Sequence, residues 1–292
     1  MNKCQIVWNQ DQELEFNAQV SIDSAKKSFF LKKWSGGESE SLILAFHDIG
    51  GYHGSFRDFS KWMVSENKKI DVIVVDMLGH GLSSGIRGHL ENMNDLIYNY
   101  INLLEKIDFS KYKKIYFLGQ GAGGLLALEL YTHFENKLNI KLSGIILSNF
   151  ILNFESVFFK ITPWNSLKYI FNHLKLYKLY EAKDLTSDNR KIDQIESDPL
   201  YVHGATFQTF NVFMKKSQSV YQDSYFLEIP VLSLIGLESR KILNSGMEYF
   251  HKGLKKEILT KKVYANFKHD LYNEKESPLV FKDILNWIEE NE

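Results

Sequence analysis

The chain has little of several things, and each scarcity removes a class of protein. It carries one cysteine, Cys4, in 292 residues, which leaves no partner for an internal disulfide and no ligand spacing for a thiolate metal site. A reducing compartment is the expectation, with the cytoplasm as its default. Net charge is almost absent: 35 Lys and Arg stand against 36 Asp and Glu, giving −1. No global field draws the chain toward nucleic acid or an anionic surface. Lysine clusters at Lys111, Lys113 and Lys114, at Lys255 and Lys256, and at Lys261 and Lys262 are interspersed with acidic and apolar residues, so they read as solvated faces. Long apolar runs are missing too. None approaches the roughly 20 residues of a membrane span, and MNKCQIVWNQDQELEF is too polar for the core of a signal peptide. No repeat and no low-complexity linker divides the chain, and neither a cofactor nor a metal is expected.

What is present is a rhythm. A short, continuously apolar run at Leu42–Phe46 and similar, mostly apolar runs at Ile70–Val75, Ile115–Leu118, Leu142–Leu147 and Val231–Ile235, with a weaker one at Lys262–Ala265, suit strands buried on both faces. Helical spacing fills the gaps, notably at Asn92–Ile107, Gly124–Phe134 and Pro278–Ile288. Such alternation predicts an α/β fold, a doubly wound and mostly parallel sheet with helices on both faces. Residues 5–33 alternate loosely between apolar and polar, as two or three antiparallel strands at a sheet edge would. The division expected is a core of residues 1–148 and 229–292 with a helical cap inserted at 149–228, an interval with no convincing buried strand. In such sheets an insertion sits over the carboxyl ends of the strands, where ligands bind. The cap is rich in aromatics, among them Phe150, Phe154, Phe158, Phe159, Trp164, Tyr169, Phe171, Tyr177 and Tyr180. Two readings stand for them: a small core of the cap's own, or the lining of an apolar pocket or membrane-docking lip.

The stretch Lys114–Leu128 runs from an apolar strand through a knot of glycines straight into a helix. That is the layout of a nucleophile elbow, G-x-S-x-G, which presents a serine on a strained turn. Here the frame reads Gly119-Gln120-Gly121-Ala122-Gly123. Glycine stands where the nucleophile belongs. A non-glycine residue at such a turn costs about 1–3 kcal/mol of backbone strain, and glycine relieves most of it because it lacks a Cβ. A structural turn is therefore the better reading of Gly121.

The segment Asp76-Met77-Leu78-Gly79-His80-Gly81-Leu82-Ser83-Ser84-Gly85-Ile86-Arg87-Gly88-His89 resembles the D-x-R-G-H-G-x-S-x-G-x-R-G-H run of monoacylglycerol lipases and bacterial lysophospholipases, the serine aminopeptidase S33 or hydrolase-4 group of α/β hydrolases. The resemblance extends from about residue 25 to the C-terminus and includes His47, Asp198-Pro199-Leu200 and Lys268-His269-Asp270. It implies a serine carboxylic-ester hydrolase with a Ser–His–Asp triad. By resemblance His269 holds the base position, Ser239 the acid position where the family has aspartate, and Glu238 is a substitute acid if the loop shifts by one residue. The two oxyanion donors would be the amides of Ile49 and Ala122. Family members run H-G-x-G from the strand; this chain runs Phe46-His47-Asp48-Ile49-Gly50, placing a carboxylate where an oxyanion would develop and opposing its stabilisation. If Asp48 points away, it braces the loop instead. His47, Asp48, Gln120, Phe150 and Phe154 are expected around the pocket. The runs His47–Gly50 and Gly119–Gly123 also resemble the corresponding loops of the N-myc downstream-regulated proteins, which have the same fold without hydrolase activity.

Together, Gly121, Ser239 and Asp48 lead us to expect a non-hydrolytic pseudoenzyme that binds an apolar or acyl-like molecule or a protein partner, without nucleic acid or a transmembrane segment, and with peripheral membrane contact through the cap as a further option. The alternative is an ester hydrolase or other enzyme of altered chemistry, with His269 as general base.

Overall fold

The computed structural model describes residues 6–22, 27–138, 140–150, 175–177, 181–239 and 244–291. Cys4, Phe154 and most of the cap aromatics lie outside them, as does the Tyr177 side chain.

Among the described residues one nine-stranded sheet organises the chain. Its strands are β1 (Asn9–Gln12), β2 (Glu15–Ile22), β3 (Lys27–Ser35), β4 (Ser41–Phe46), β5 (Ile70–Val75), β6 (Lys114–Gln120), β7 (Gly144–Ser148), β10 (Val231–Gly236) and β11 (Leu259–Tyr264), in the order β1-β2-β3-β5-β4-β6-β7-β10-β11. β1, β2 and β3 are antiparallel to their neighbours, and every pairing from β5 to β11 is parallel. β4 shows why a continuous apolar run suits the centre of such a sheet. Leu42, Leu44 and Phe46 enter one apolar layer while Ile43 and Ala45 enter the other, and all five are fully buried. Helices α2 (Met93–Leu104), α3 (Ala122–Leu138) and α7 (Asn244–Gly253) cover the first face; α1 (Arg57–Glu66) and α8 (Pro278–Glu290) cover the second. Local signals start two of these helices. The Asn92 side chain accepts from the Asp95 amide at 2.7 Å, and Pro278 opens α8, where its missing N–H costs nothing.

Residues 181–228 hold α4 (Ala182–Leu185), α5 (Asn189–Ser197) and α6 (Phe207–Asp223). The sequence led us to expect no convincing buried strand in the cap interval 149–228, and the structure corrects that. β8 (Lys175–Tyr177) and β9 (Gly204–Thr206) pair antiparallel, with Ala205 and Thr206 buried. Three residues per strand are too few to register as a period, and Gly204 and Thr206 look like turn residues until a partner is present. The loop just before β9 is tied to the loops that follow β4 and β5. Val202 donates its amide to Gly50 O at 2.8 Å, and the Arg87 guanidinium donates to Leu200 O and Gly81 O, both at 2.7 Å.

The register builds the site. β4 lies between β5 and β6, so the chain leaves it toward one side and returns on the other, a switch point whose crevice opens at the strands' carboxyl ends. Phe46 pairs with Gly119, which sets the loop after β4 beside the turn after β6. α3 packs so tightly there that a Cβ on Gly123 would stand 2.1 Å from Phe46 O, so only glycine permits the approach.

Candidate active site: a carboxylate in the elbow

Gly121 forms the sharp turn between β6 and α3, with φ at +54°, the left-handed region. Its amide donates to Ser148 O at 3.0 Å. The space its side chain would take is filled by Asp48: a Cβ built on Gly121 would lie 2.2 Å from the Asp48 Cγ and Oδ1. The carboxylate is anchored at both oxygens. Oδ1 accepts the Ala122 amide at 2.7 Å, and Oδ2 meets His269 Nε2 at 2.9 Å. At its other end His269 Nδ1 meets Ser239 Oγ at 3.1 Å. Asp48 and Ser239 are 6% exposed and His269 is 0% exposed, so these contacts are screened little by water.

The direction of Asp48 was open in the sequence, and the carboxylate turns inward. It takes the donor (Ala122 N–H) that would steady an oxyanion and the ring nitrogen (His269 Nε2) that would deprotonate an elbow nucleophile. The other residues around it fall into two groups. Glu238 is exposed, its amide bonded to Phe267 O at 3.0 Å, and Ser239 rather than Glu238 faces the imidazole. His47, Ile49, Gln120 and Phe150 are buried. His47 Nε2 accepts the Met77 amide at 2.9 Å, so the ring proton sits on Nδ1 and is donated to Asp48 O at 2.8 Å. Burial drives the His47 imidazole below its ordinary pKa, which keeps it neutral in that bridging role. Ile49 packs into the first apolar layer. Phe150 lies edge-on to Phe250 with ring centres 4.9 Å apart.

Two supports were not visible in the sequence. Asn149 follows β7 with φ at +43° and is fully buried. Its Oδ1 accepts the Gly236 amide at 3.0 Å, while its Nδ2 donates to His269 O at 2.9 Å and Lys268 O at 3.1 Å. One side chain thus ties the loop carrying Ser239 to the loop carrying His269. The only hint was an Asn just past a buried strand, a residue type that tolerates left-handed backbone. Behind the elbow, Asp270 is buried and accepts Asn273 Nδ2 at 2.8 Å, the Tyr272 amide at 3.2 Å and the Gln120 side chain. Burial outweighs those bonds and pushes its carboxyl up to about 6.

Among the described residues no group of three or more His, Cys, Asp and Glu could hold a metal, and no helix is long and apolar enough to cross a membrane. A cavity of about 740 Å³ lies away from the elbow, between α1 and α5. Its walls carry charges of both signs (Arg57, Lys61 and Lys191 with Asp58 and Asp198), and none of Asp48, Gly121 and His269 lines it.

A doubly wound parallel sheet, a strand–turn–helix elbow at its switch point and a histidine on the last loop define an α/β hydrolase. Residues 37–276 match the family described as serine aminopeptidase S33, hydrolase-4, and the chain belongs to that family, within its monoacylglycerol lipase and lysophospholipase type. Phospholipase YtpA of Bacillus subtilis is 23% identical over 257 residues, covering 85% of this chain and 95% of the relative. A monoacylglycerol lipase of Mycolicibacterium smegmatis is 23% identical over 227 residues, covering 74% and 77%. Among solved structures, a monoglyceride lipase from Saccharomyces cerevisiae shares the fold with a TM-score of 0.80 at 19% identity, covering 94% of each chain.

Proposed function

We propose that this chain is a family member in which the elbow route of ester hydrolysis is closed, and that it acts by binding an apolar or acyl-like molecule or a protein partner. The observation that carries the reading is the Asp48 carboxylate, seated in the nucleophile's space over Gly121 and bonded to both Ala122 N and His269 Nε2. An attacking hydroxyl needs a residue with a side chain at position 121, a base with its Nε2 lone pair available, and an amide free to meet the oxyanion. Each of the three is answered by the same carboxylate or by the glycine beneath it. A negative charge fixed there also opposes the build-up of a second one.

The ligand class follows from kinship. The similar proteins are named a phospholipase and a monoacylglycerol lipase, and a scaffold shared with them favours a long acyl chain over a polar metabolite. The test is hydrolysis of p-nitrophenyl butyrate and of a monoacylglycerol by the purified protein. The reading expects no sustained release above the rate in buffer. Steady turnover at an ordinary enzymatic rate, about 1–10³ s⁻¹, would remove it.

A further inference from the structure

His269 is gripped at both ring nitrogens, by a carboxylate at Nε2 and a hydroxyl at Nδ1. A carboxylate only accepts, so Nε2 carries the proton and donates to Asp48 Oδ2. In the neutral ring that leaves the Nδ1 lone pair facing Ser239 Oγ, 3.1 Å away. This is hydroxyl, imidazole and carboxylate in series, the constellation that activates a nucleophilic serine and is recognised by geometry rather than by chain position. It runs end for end relative to the elbow: the hydroxyl is beside β10 and the carboxylate is over Gly121. We propose that Ser239 is an activated nucleophile, with His269 Nδ1 as its base and Asp48 as the group that orients the ring and balances its charge.

The chemistry it supports is limited by its surroundings. The amides of Leu237, Glu238 and Ser239 donate to Tyr264 O, Phe267 O and Gly236 O, respectively, so none of the three is available to an oxyanion at Ser239. Losing one such donor costs roughly 10²–10³ in rate. The substrate class is therefore activated acyl donors, aryl esters and thioesters, whose leaving groups depart with little help. As the Ser239 Oγ–carbon bond forms, the hydroxyl proton passes to Nδ1. The bond to the leaving group then breaks, and the phenolate or thiolate takes that proton away. The product is an acylated Ser239 with His269 neutral again. A chain can accept one acyl group in this way and still turn over nothing, so the inference goes beyond the proposed function and does not depend on it.

The experiment treats the full chain with a fluorophosphonate and locates the adduct at residue level by tandem mass spectrometry, with p-nitrophenyl acetate as the acyl probe. The expected result is one label per chain, on Ser239, and a burst of about one phenolate per chain. Labelling is lost in Ser239→Ala and slowed at least tenfold in Asp48→Asn, which keeps the size of the side chain but removes the charge that holds the proton on Nε2. No adduct after prolonged exposure, an adduct on another residue, or an Asp48→Asn variant labelled at the wild-type rate would each overturn the assignment. Should Ser239→Ala fail to fold, the adduct position in the wild type and the Asp48→Asn rate still decide. Failure of the proposed function reads out separately, as sustained turnover with Ser239 unmodified.

Discussion

A methyl group on Gly121 is the smallest change that puts the elbow and Asp48 in conflict. At φ +54° any side chain costs about 1–3 kcal/mol. The new Cβ would also stand 2.2 Å from the Asp48 Cγ, far inside van der Waals contact, so the carboxylate must leave. Its bonds to Ala122 N and His269 go with it, and a hydrogen bond to a charged group contributes about 1.5–3 kcal/mol. Gly121→Ala should thus destabilise by roughly 4–9 kcal/mol in total. Asp48→Ala alone loses the same two bonds. In the double variant the carboxylate is already gone, so the methyl adds only the backbone strain. The two changes should therefore be less than additive, by about 3–6 kcal/mol, as expected for groups that touch. The assay is a double-mutant cycle by thermal denaturation, in which 1 kcal/mol moves the midpoint by about 2–4 °C for a chain of this size class. A Gly121→Ala protein that melts with the wild type, or a strictly additive cycle, would refute the placement of Asp48.

Three further outcomes follow from residues around the elbow. Asp270, lifted by burial from 3.8 to about 6, keeps its proton in the folded protein where the unfolded chain has released it. Stability therefore falls as pH rises through roughly 4 to 6, by about 3 kcal/mol in all. In Asp270→Asn that fall disappears, so the variant gains on the wild type across the window and holds a constant difference above it; a constant difference throughout would contradict the assignment. Asn149→Ala loses three side-chain bonds and keeps the left-handed backbone, and should cost about 2–4 kcal/mol in urea denaturation. Asn149→Gly should be the milder of the two because its backbone accepts that conformation, and the reverse order would show that the turn does not hold these loops.

The fold was legible because its signals are local and repeated. The apolar runs at Leu42–Phe46 and Ile70–Val75 coincide with β4 and β5 to within a residue, since strands buried on both faces are apolar at nearly every position. β8 and β9 were not legible, because three-residue strands are specified by their partner and not by their own pattern. The elbow glycine and the histidine of the last loop could be named from motifs, each being a fixed residue type at a fixed place. The relation between Asp48 and Ser239 could not. Each was weighed alone against a family position, whereas what matters is that both touch one imidazole from opposite ends, across 221 residues in one case and 30 in the other. Contacts so distant in the chain leave no periodic trace. Asn149 escaped for the same reason: its role lies in what it joins.

The most direct test of the closed elbow is ester turnover by a chain in which it is reopened. Gly121→Ser, Asp48→Gly and Ser239→Asp, introduced together, return a hydroxyl to the turn, free the Ala122 amide and place a carboxylate at His269 Nδ1. The account predicts that p-nitrophenyl butyrate hydrolysis sustained over many cycles appears in the triple variant and is absent from the wild type. Equal, sustained turnover by the two proteins would contradict it.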